Sequence, residues 1–358
     1  MRITVAIVVC VISGLFGLAD DAGKDTAAAP HMQGGELFPI QLGGKMGYMN
    51  TMGNAVLAPR FDNAWPMKEG YGNIMIGWKR GLIDRRGKVV IKPQYRYDGG
   101  LDNVQDGLVL MMTDKGRFGF VSPSGQVIIP ARFDYALGFT EGLAAAMLNK
   151  KFGFIDKTGN FAIQTRFDYA WPFSEGLACV QVEGKIAFVN KTGAVVLGKT
   201  FGYACSFSDG FAPINPTGRI PAQPKDEIGG KWGFVNREGA VVIQPQFDDV
   251  NGFSEGLAAV RIGPKLGGKW GFIDKRGKYV IKPEYQWVRS FSQGFAVVAD
   301  RNWRYGFIDP SGRLVIKPQF DSADAFSGGL ARVGVGAVDQ RKYGYIDKAG
   351  AFIWKPTK

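Results

Sequence analysis

A short pattern recurs along this chain too often to serve a single core, and that recurrence limits what the chain can fold into. The pattern is a basic residue, an aromatic, a glycine and a second aromatic. It reads Lys231-Trp232-Gly233-Phe234, Lys269-Trp270-Gly271-Phe272, Arg304-Tyr305-Gly306-Phe307 and Lys342-Tyr343-Gly344-Tyr345. Earlier copies begin at Lys45, Lys79, Arg117 and Lys151, and a decayed copy at Lys185 carries Ala187 where the glycine belongs. Nine units result, covering about 36 to 356. Units of roughly 35 residues cannot bury enough surface alone, so neighbours must share a core.

Each copy runs into a turn with a readable mechanism. An Asp, Asn or Ser is followed three residues later by glycine in every unit, from Asn50/Gly53, Asp84/Gly87 and Ser122/Gly125 to Asp309/Gly312 and Asp347/Gly350. These side chains accept a hydrogen bond from the backbone two residues on, and glycine supplies positive φ at the end of the turn. A hairpin is therefore expected at each site. The returning strand is apolar, as in Val241-Val242-Ile243, and reaches Pro-x-aromatic, as in Pro245-Gln246-Phe247. Because proline cannot donate to a ladder, pairing is expected to stop there. A loop then closes on Phe-Ser-Glu-Gly or a relative, and a short apolar strand such as Leu257-Ala258-Ala259-Val260 leads into the next copy. The glycine inside the central strand implies a close visitor, read here as an aromatic ring from the next unit or from the Pro-x-aromatic segment.

The fold expected is all-β: about nine tandem three-stranded meanders in an open, curved superhelical array, with a closed β-propeller as the alternative. The units lie near 36–69, 70–106, 107–141, 142–175, 176–209, 210–255, 256–293, 294–328 and 329–358. The succession Lys-Trp-Gly-Phe-Ile-Asp-Lys-x-Gly, Val-Ile-x-Pro-x-Phe/Tyr-Asp and Phe-Ser-Glu-Gly-Leu-Ala resembles the WG-repeat (KWG-repeat) family of bacteria. That resemblance implies a β-repeat scaffold and a role in binding, and it carries no catalytic residue with it. Residues 79–84 and 185–188 depart from the pattern.

The first nineteen residues read as a signal segment. Arg2 precedes an apolar run from Ile3 to Leu18, and Gly17-Leu18-Ala19 offers small residues for cleavage. Residues 20–35 are then a flexible leader, and 36–358 the repeat domain, without a membrane span in the mature chain. The expected location is exported: periplasm, cell surface or medium. Cleavage would remove one positive charge from a net +12, so the mature chain stays strongly basic. Export turns the expected partner from nucleic acid toward a protein or an anionic glycan or envelope polymer. The lysine or arginine that opens each repeat is read first as guarding strand edges against aggregation, and alternatively as a periodic cationic row suited to such a polyanion. Export also permits a disulfide, for which Cys179 and Cys205 are the candidate pair.

Catalytic chemistry is not expected, nor a metal or cofactor. The only histidine is His31, in the leader, which leaves no Ser/His/Asp or Cys/His arrangement in the repeats. The turn aspartates exchange with Asn50, Ser122, Asn190 and Asn236, which points to local hydrogen bonding. Asp62, Asp134, Asp168, Asp248 and Asp321, each after the repeat phenylalanine, are read as loop-fixing groups; glycan hydrolysis through such carboxylates is the minor reading. Candidate binding residues lie in the variable connections between the first and central strands: Arg219, Lys225, Lys265, Arg301, Trp303 and Arg341. Insertions in repeat proteins gather on one face, often the binding face.

Overall fold

The computed structural model describes residues 36–96, 101–218 and 229–356. Among the described residues the regular elements are strands, apart from one 3-10 turn at Val338–Gln340. The strands form nine antiparallel sheets in chain order. A three-stranded sheet spans 38–61, and four-stranded sheets span 63–96, 101–133, 135–167, 169–201, 203–247, 249–285, 287–320 and 322–354. We number these as blades one to nine.

Blade five shows the plan. Its short strand Tyr169–Ala170 pairs with the second strand Leu177–Val182, which pairs with the central strand Lys185–Asn190, which pairs with the outer strand Val195–Phe201. The short strand is the element that sequence reading placed in a loop. It pairs Tyr169 with Gln181 and Ala170 with Val180, so a blade starts just after the preceding Phe-Asp. Two residues carry no periodicity, which is why the sequence shows three strands and the sheet has four.

The turn chemistry is as read. Oδ1 of Asp156 accepts the N–H groups of Thr158 and Asn160, and Gly159 has φ 86°. The glycine of the central strand has a different visitor from the one expected. In blade six Trp232 pairs with Phe247 and Phe234 with Ile243, so residues 244–246 bulge opposite Gly233 alone. A Cβ on Gly233 would lie 2.7 Å from the Pro245 nitrogen and closer still to the Ile243 carbonyl oxygen. The backbone of the blade's own outer strand fills the space, and no aromatic ring does. Pro245 accordingly sits inside the strand Val241–Phe247 rather than ending it; a bulge on a strand with one neighbour in its sheet needs no N–H there. In blade five, Ala187 faces a wider bulge. Ile186 pairs with Phe201 and Phe188 with Val196, leaving four residues opposite one, with Leu197 at φ 69° and Gly198 at φ 58°.

Hydrophobic clusters straddle neighbouring blades. Phe272, Ile281 and Tyr285 of blade seven pack with Val288, Phe291 and Val298 of blade eight. Phe120 and Phe133 of blade three pack with Phe139 and Ile155 of blade four. Stacking therefore supplies the core that a single blade lacks.

The described residues divide into two compact units, one of 166–319 and one that unites 36–165 with 320–356. The second unit decides the topology. Within it Tyr345 Oη donates to the Pro39 carbonyl at 2.8 Å, and the Phe38 and Tyr345 rings meet edge to face at 5.6 Å. Phe38, Ile40 and Met49 of blade one cluster with Leu330, Tyr345, Ile353 and Trp354 of blade nine. Gly53 sits on Ile353 of blade nine as Gly87 sits on Leu57 and Gly159 on Ile129. The first and last blades thus meet through the contact that successive blades use, and the chain is a closed, nine-bladed β-propeller. The open array is corrected: left open, blade nine would expose an apolar face that blade one covers.

Candidate functional site

Every blade has two ends, each built from two kinds of connection. At one end lie the hairpins between second and central strands, together with the Phe-Asp links from one blade to the next. At the other lie the Asx turns and the Phe-Ser-Glu-Gly turns.

At the hairpin end, two rows that the sequence presents separately are partners. In three repeats the cation opening the central strand pairs with the aspartate after the same repeat's phenylalanine: Lys231 with Asp248 at 2.6 Å, Lys45 with Asp62 at 3.6 Å, and Arg117 with Asp134. The second carboxylate oxygen accepts a hairpin amide. Asp248 takes the Gly263 N–H at 2.9 Å, Asp62 that of Gly77 at 2.8 Å, Asp134 that of Asn149 at 2.8 Å and Asp321 that of Gly336 at 2.8 Å. Partial burial works against the charge on Asp248, but Lys231 and the Gly263 amide hold its carboxyl below the usual aspartate value. These aspartates fix loops, as read. The cationic row is neutralised in part, since no such aspartate follows the aromatic in the repeats of Lys79, Lys185, Lys269 and Lys342.

The candidate binding residues fall on separate hairpins of this end. Lys265 is exposed in the 263–268 connection of blade seven. Arg301 and Trp303 are exposed in the Asp300–Arg304 turn of blade eight, with Trp303 at φ 57°. Arg341, half-buried, donates from Nε to the Gly336 carbonyl in the last hairpin. Arg219 and Lys225 lie outside the described residues. Sequence reading missed the most protruding apolar tips of the same end, Trp78, Leu266 and Val338, at 61%, 90% and 83% exposure. The signal was available, since an apolar side chain at a hairpin tip has no core to face.

The turn end carries a second system that was not foreseen. In six Phe-Ser-Glu-Gly-type turns the residue before the glycine is acidic and adopts positive φ, between 50° and 54° at Glu69, Asp106, Glu141, Glu175, Asp209 and Glu255. Its carboxylate receives the turn-glycine amide of the following blade. Gly210 N–H donates to Glu175 at 3.0 Å, Gly256 N–H to Asp209 at 2.7 Å and Gly294 N–H to Glu255 at 2.8 Å. In the other unit Gly107 N–H donates to Glu69 at 3.0 Å, and Gly142 N–H to Asp106. The serine before the acid adds a link: Ser174 Oγ donates to the Phe207 carbonyl at 2.7 Å and Ser254 Oγ to that of Phe291 at 2.8 Å. A charged acceptor taking a backbone amide is a strong and directional link. The available signal was an acid recurring before the turn glycine in six units.

Cys179 is a free, fully buried thiol, so the candidate bridge to Cys205 is not formed; burial pushes the thiol far above its ordinary value. Among the described residues no three His, Cys, Asp or Glu side chains gather as metal ligands would.

A family model described as WG containing repeat matches residues 46–77, 81–109, 118–152, 152–185, 232–265, 270–302 and 305–337. The decayed unit around Ala187 falls between two matches. No curated protein matches the chain. Among solved structures, one titled as a eukaryotic initiation factor superposes with a TM-score of 0.64 at 13% identity, covering 88% of this chain and 94% of its own. BamB from Moraxella catarrhalis aligns with a TM-score of 0.41 at 10% identity, over 88% of this chain and 92% of its own. At such identities the likeness to the first concerns the fold alone.

Proposed function

Since the chain belongs to the WG-containing repeat family, we propose that it is an exported structural scaffold whose polar groups serve its own assembly. The observation that carries this reading is the pairing of the repeat's charges. In the repeats opened by Lys45, Arg117 and Lys231 the cation and the aspartate after the repeat phenylalanine neutralise one another, and the turn acids hold the next blade's amides. A motif consumed in this way builds backbone and leaves little chemistry over. Export rests on the N-terminal segment, whose positive start, apolar run and Ala19 have the composition of a signal.

Two measurements test the proposal. Mass spectrometry of the protein from its native host should find an N-terminus at Asp20 in an extracytoplasmic fraction; a cytosolic chain beginning at Met1 refutes export. Retention on a sulfated polysaccharide should be weak and unspecific. A steep salt slope, of the kind several simultaneous phosphate- or sulfate-type contacts produce, would refute the purely structural reading.

A second reading has its own support. Trp303 and Leu266 protrude from hairpins, with Arg301 and Lys265 beside them. Exposed aromatics next to cations are the composition of interface centres. On that reading the hairpin end recognises a protein or an anionic glycan, and Trp303→Ser with Leu266→Ser would abolish capture while leaving the fold intact.

A further inference from the structure

Two neighbouring hairpins of the 166–319 unit hold apolar side chains out in solvent. In blade eight the hairpin is itself an Asx turn: Oδ1 of Asp300 accepts the N–H groups of Asn302 and Arg304, both at 2.9 Å. Three residues after the Asx the repeat turns carry glycine, as at Gly159 and Gly239, because φ there is positive. Here the residue is Trp303, at φ 57° and 55% exposed. Positive φ strains a bulky side chain, and a ring half in water buries too little to offset that strain. In blade seven the hairpin is the 263–268 connection, and it is firmly held. Asp248 accepts the Gly263 N–H, Arg261 donates to the Gly263 carbonyl at 2.6 Å, and Gly268 N–H closes on the Pro264 carbonyl at 2.9 Å. The loop so fixed presents Leu266 almost wholly to solvent, with Ile262 exposed at its base. Strain kept at one tip and a pinned leucine at the next point to function rather than drift.

The charges at these tips have one sign. Lys265 and Arg301 are exposed beside Leu266 and Trp303, and Lys269 pairs in register with Ile262. None of the three makes an ion pair among the described residues. The nearby carboxylates are engaged: Asp248 with Lys231, Asp249 with Arg261, and Asp300 with its turn amides. The other unit repeats the composition on a hairpin of its own. Trp78 stands there at φ 61° and exposed, followed by exposed Lys79. Opposite Lys79 lies Arg96, where other repeats place the aspartate.

We infer that the hairpins of blades seven and eight dock on a lipid surface carrying anionic headgroups. Leu266 and Trp303 stand on separate tips, with glycines and cations between them. A protein interface needs a contiguous, complementary patch at its centre. Hydrocarbon and headgroups surround an isolated tip without complementarity, with tryptophan at the headgroup level and leucine below it. Lys265, Lys269 and Arg301 then meet the headgroup charges, their stems lying along the apolar side chains. This inference goes beyond both readings above and rests on neither, since a scaffold without a macromolecular ligand still sits on a bilayer through such tips.

Co-sedimentation of the full chain with phosphatidylcholine vesicles, with and without about 30% phosphatidylglycerol, tests it. Binding should favour the anionic vesicles by at least about tenfold. L266N and W303G should each weaken it by about tenfold or more, and K265Q and R301Q by about fivefold each. W303G puts glycine at the strained position, so its melting temperature should hold or rise while binding falls; a misfolded variant would show the opposite. Brominated lipid should quench the wild type more than W303G. Equal binding to neutral vesicles, no binding to either, or binding unchanged in both L266N and W303G would overturn the inference. So would dextran sulfate binding or self-association that these variants abolish in a chain that ignores vesicles, which would assign the tips to a glycan or to a second copy.

Discussion

Replacing Gly233 by alanine puts a methyl group where the outer strand of the same blade passes. The new Cβ would stand 2.7 Å from the Pro245 nitrogen, whereas ordinary contacts run from 3.4 to 4 Å. Residues 244–246 must therefore retreat by roughly an ångström, and they are pinned on both sides by the Trp232–Phe247 and Phe234–Ile243 pairs. Overpacking of this kind costs about 1–3 kcal/mol, and one strained ladder hydrogen bond adds about 1 kcal/mol. We expect a loss of about 2–4 kcal/mol on those grounds. Blade five supplies the control, because its wider bulge accepts Ala187. Grafting that sequence (Ile243→Leu, Gln244→Gly, Pro245→Lys) should cut the alanine penalty by at least half in a double-mutant cycle. Guanidinium unfolding followed by circular dichroism and tryptophan fluorescence measures the totals, and hydrogen exchange over 232–247 locates the change. A penalty under about 0.5 kcal/mol, or the same penalty in the grafted background, would refute the bulge as the reason for the glycine.

Three further outcomes are expected. Glu175→Ala removes the acceptor of the Gly210 amide and should destabilise by about 1–2 kcal/mol, with Gly210 exchange rising ahead of the rest of blade six. Burial raises the hydroxyls of Tyr48 and Tyr345 well above the ordinary 10.0. The folded chain then keeps protons that the unfolded chain releases, so stability is full below pH 10 and falls as pH rises past it. Urea midpoints between pH 8 and 11 should show that decline, and Tyr345→Phe should make it shallower. Asp248 behaves oppositely: its carboxyl is lowered, so its contribution is present above the ordinary carboxylate value and fades as pH drops below it, and Asp248→Asn should flatten that acid limb.

The site was legible only in part, and for identifiable reasons. Asp248 was readable as a loop-fixing group because its position just after the repeat phenylalanine is a local fact. Its pairing with Lys231, 17 residues upstream, needed the two strand ends to meet. The turn acids were visible in Phe-Ser-Glu-Gly, but their partners sit in the following blade, as with Glu175 and Gly210.

What the chain's letters determined was the strand, the turn and the repeat, because the Asp, Asn or Ser side-chain oxygen, the positive-φ glycine and the aromatic spacing act within a few residues of each other. Closure was decided by tertiary structure. Tyrosine stands in place of the second aromatic only at Tyr48 and Tyr345, and Tyr345 reaches Pro39 across 306 positions of chain. Nothing local distinguishes an array whose ends are free from one whose last apolar face has found its first. That choice rests on whether accumulated rotation between blades brings two distant surfaces together, and only the packed chain carries that information.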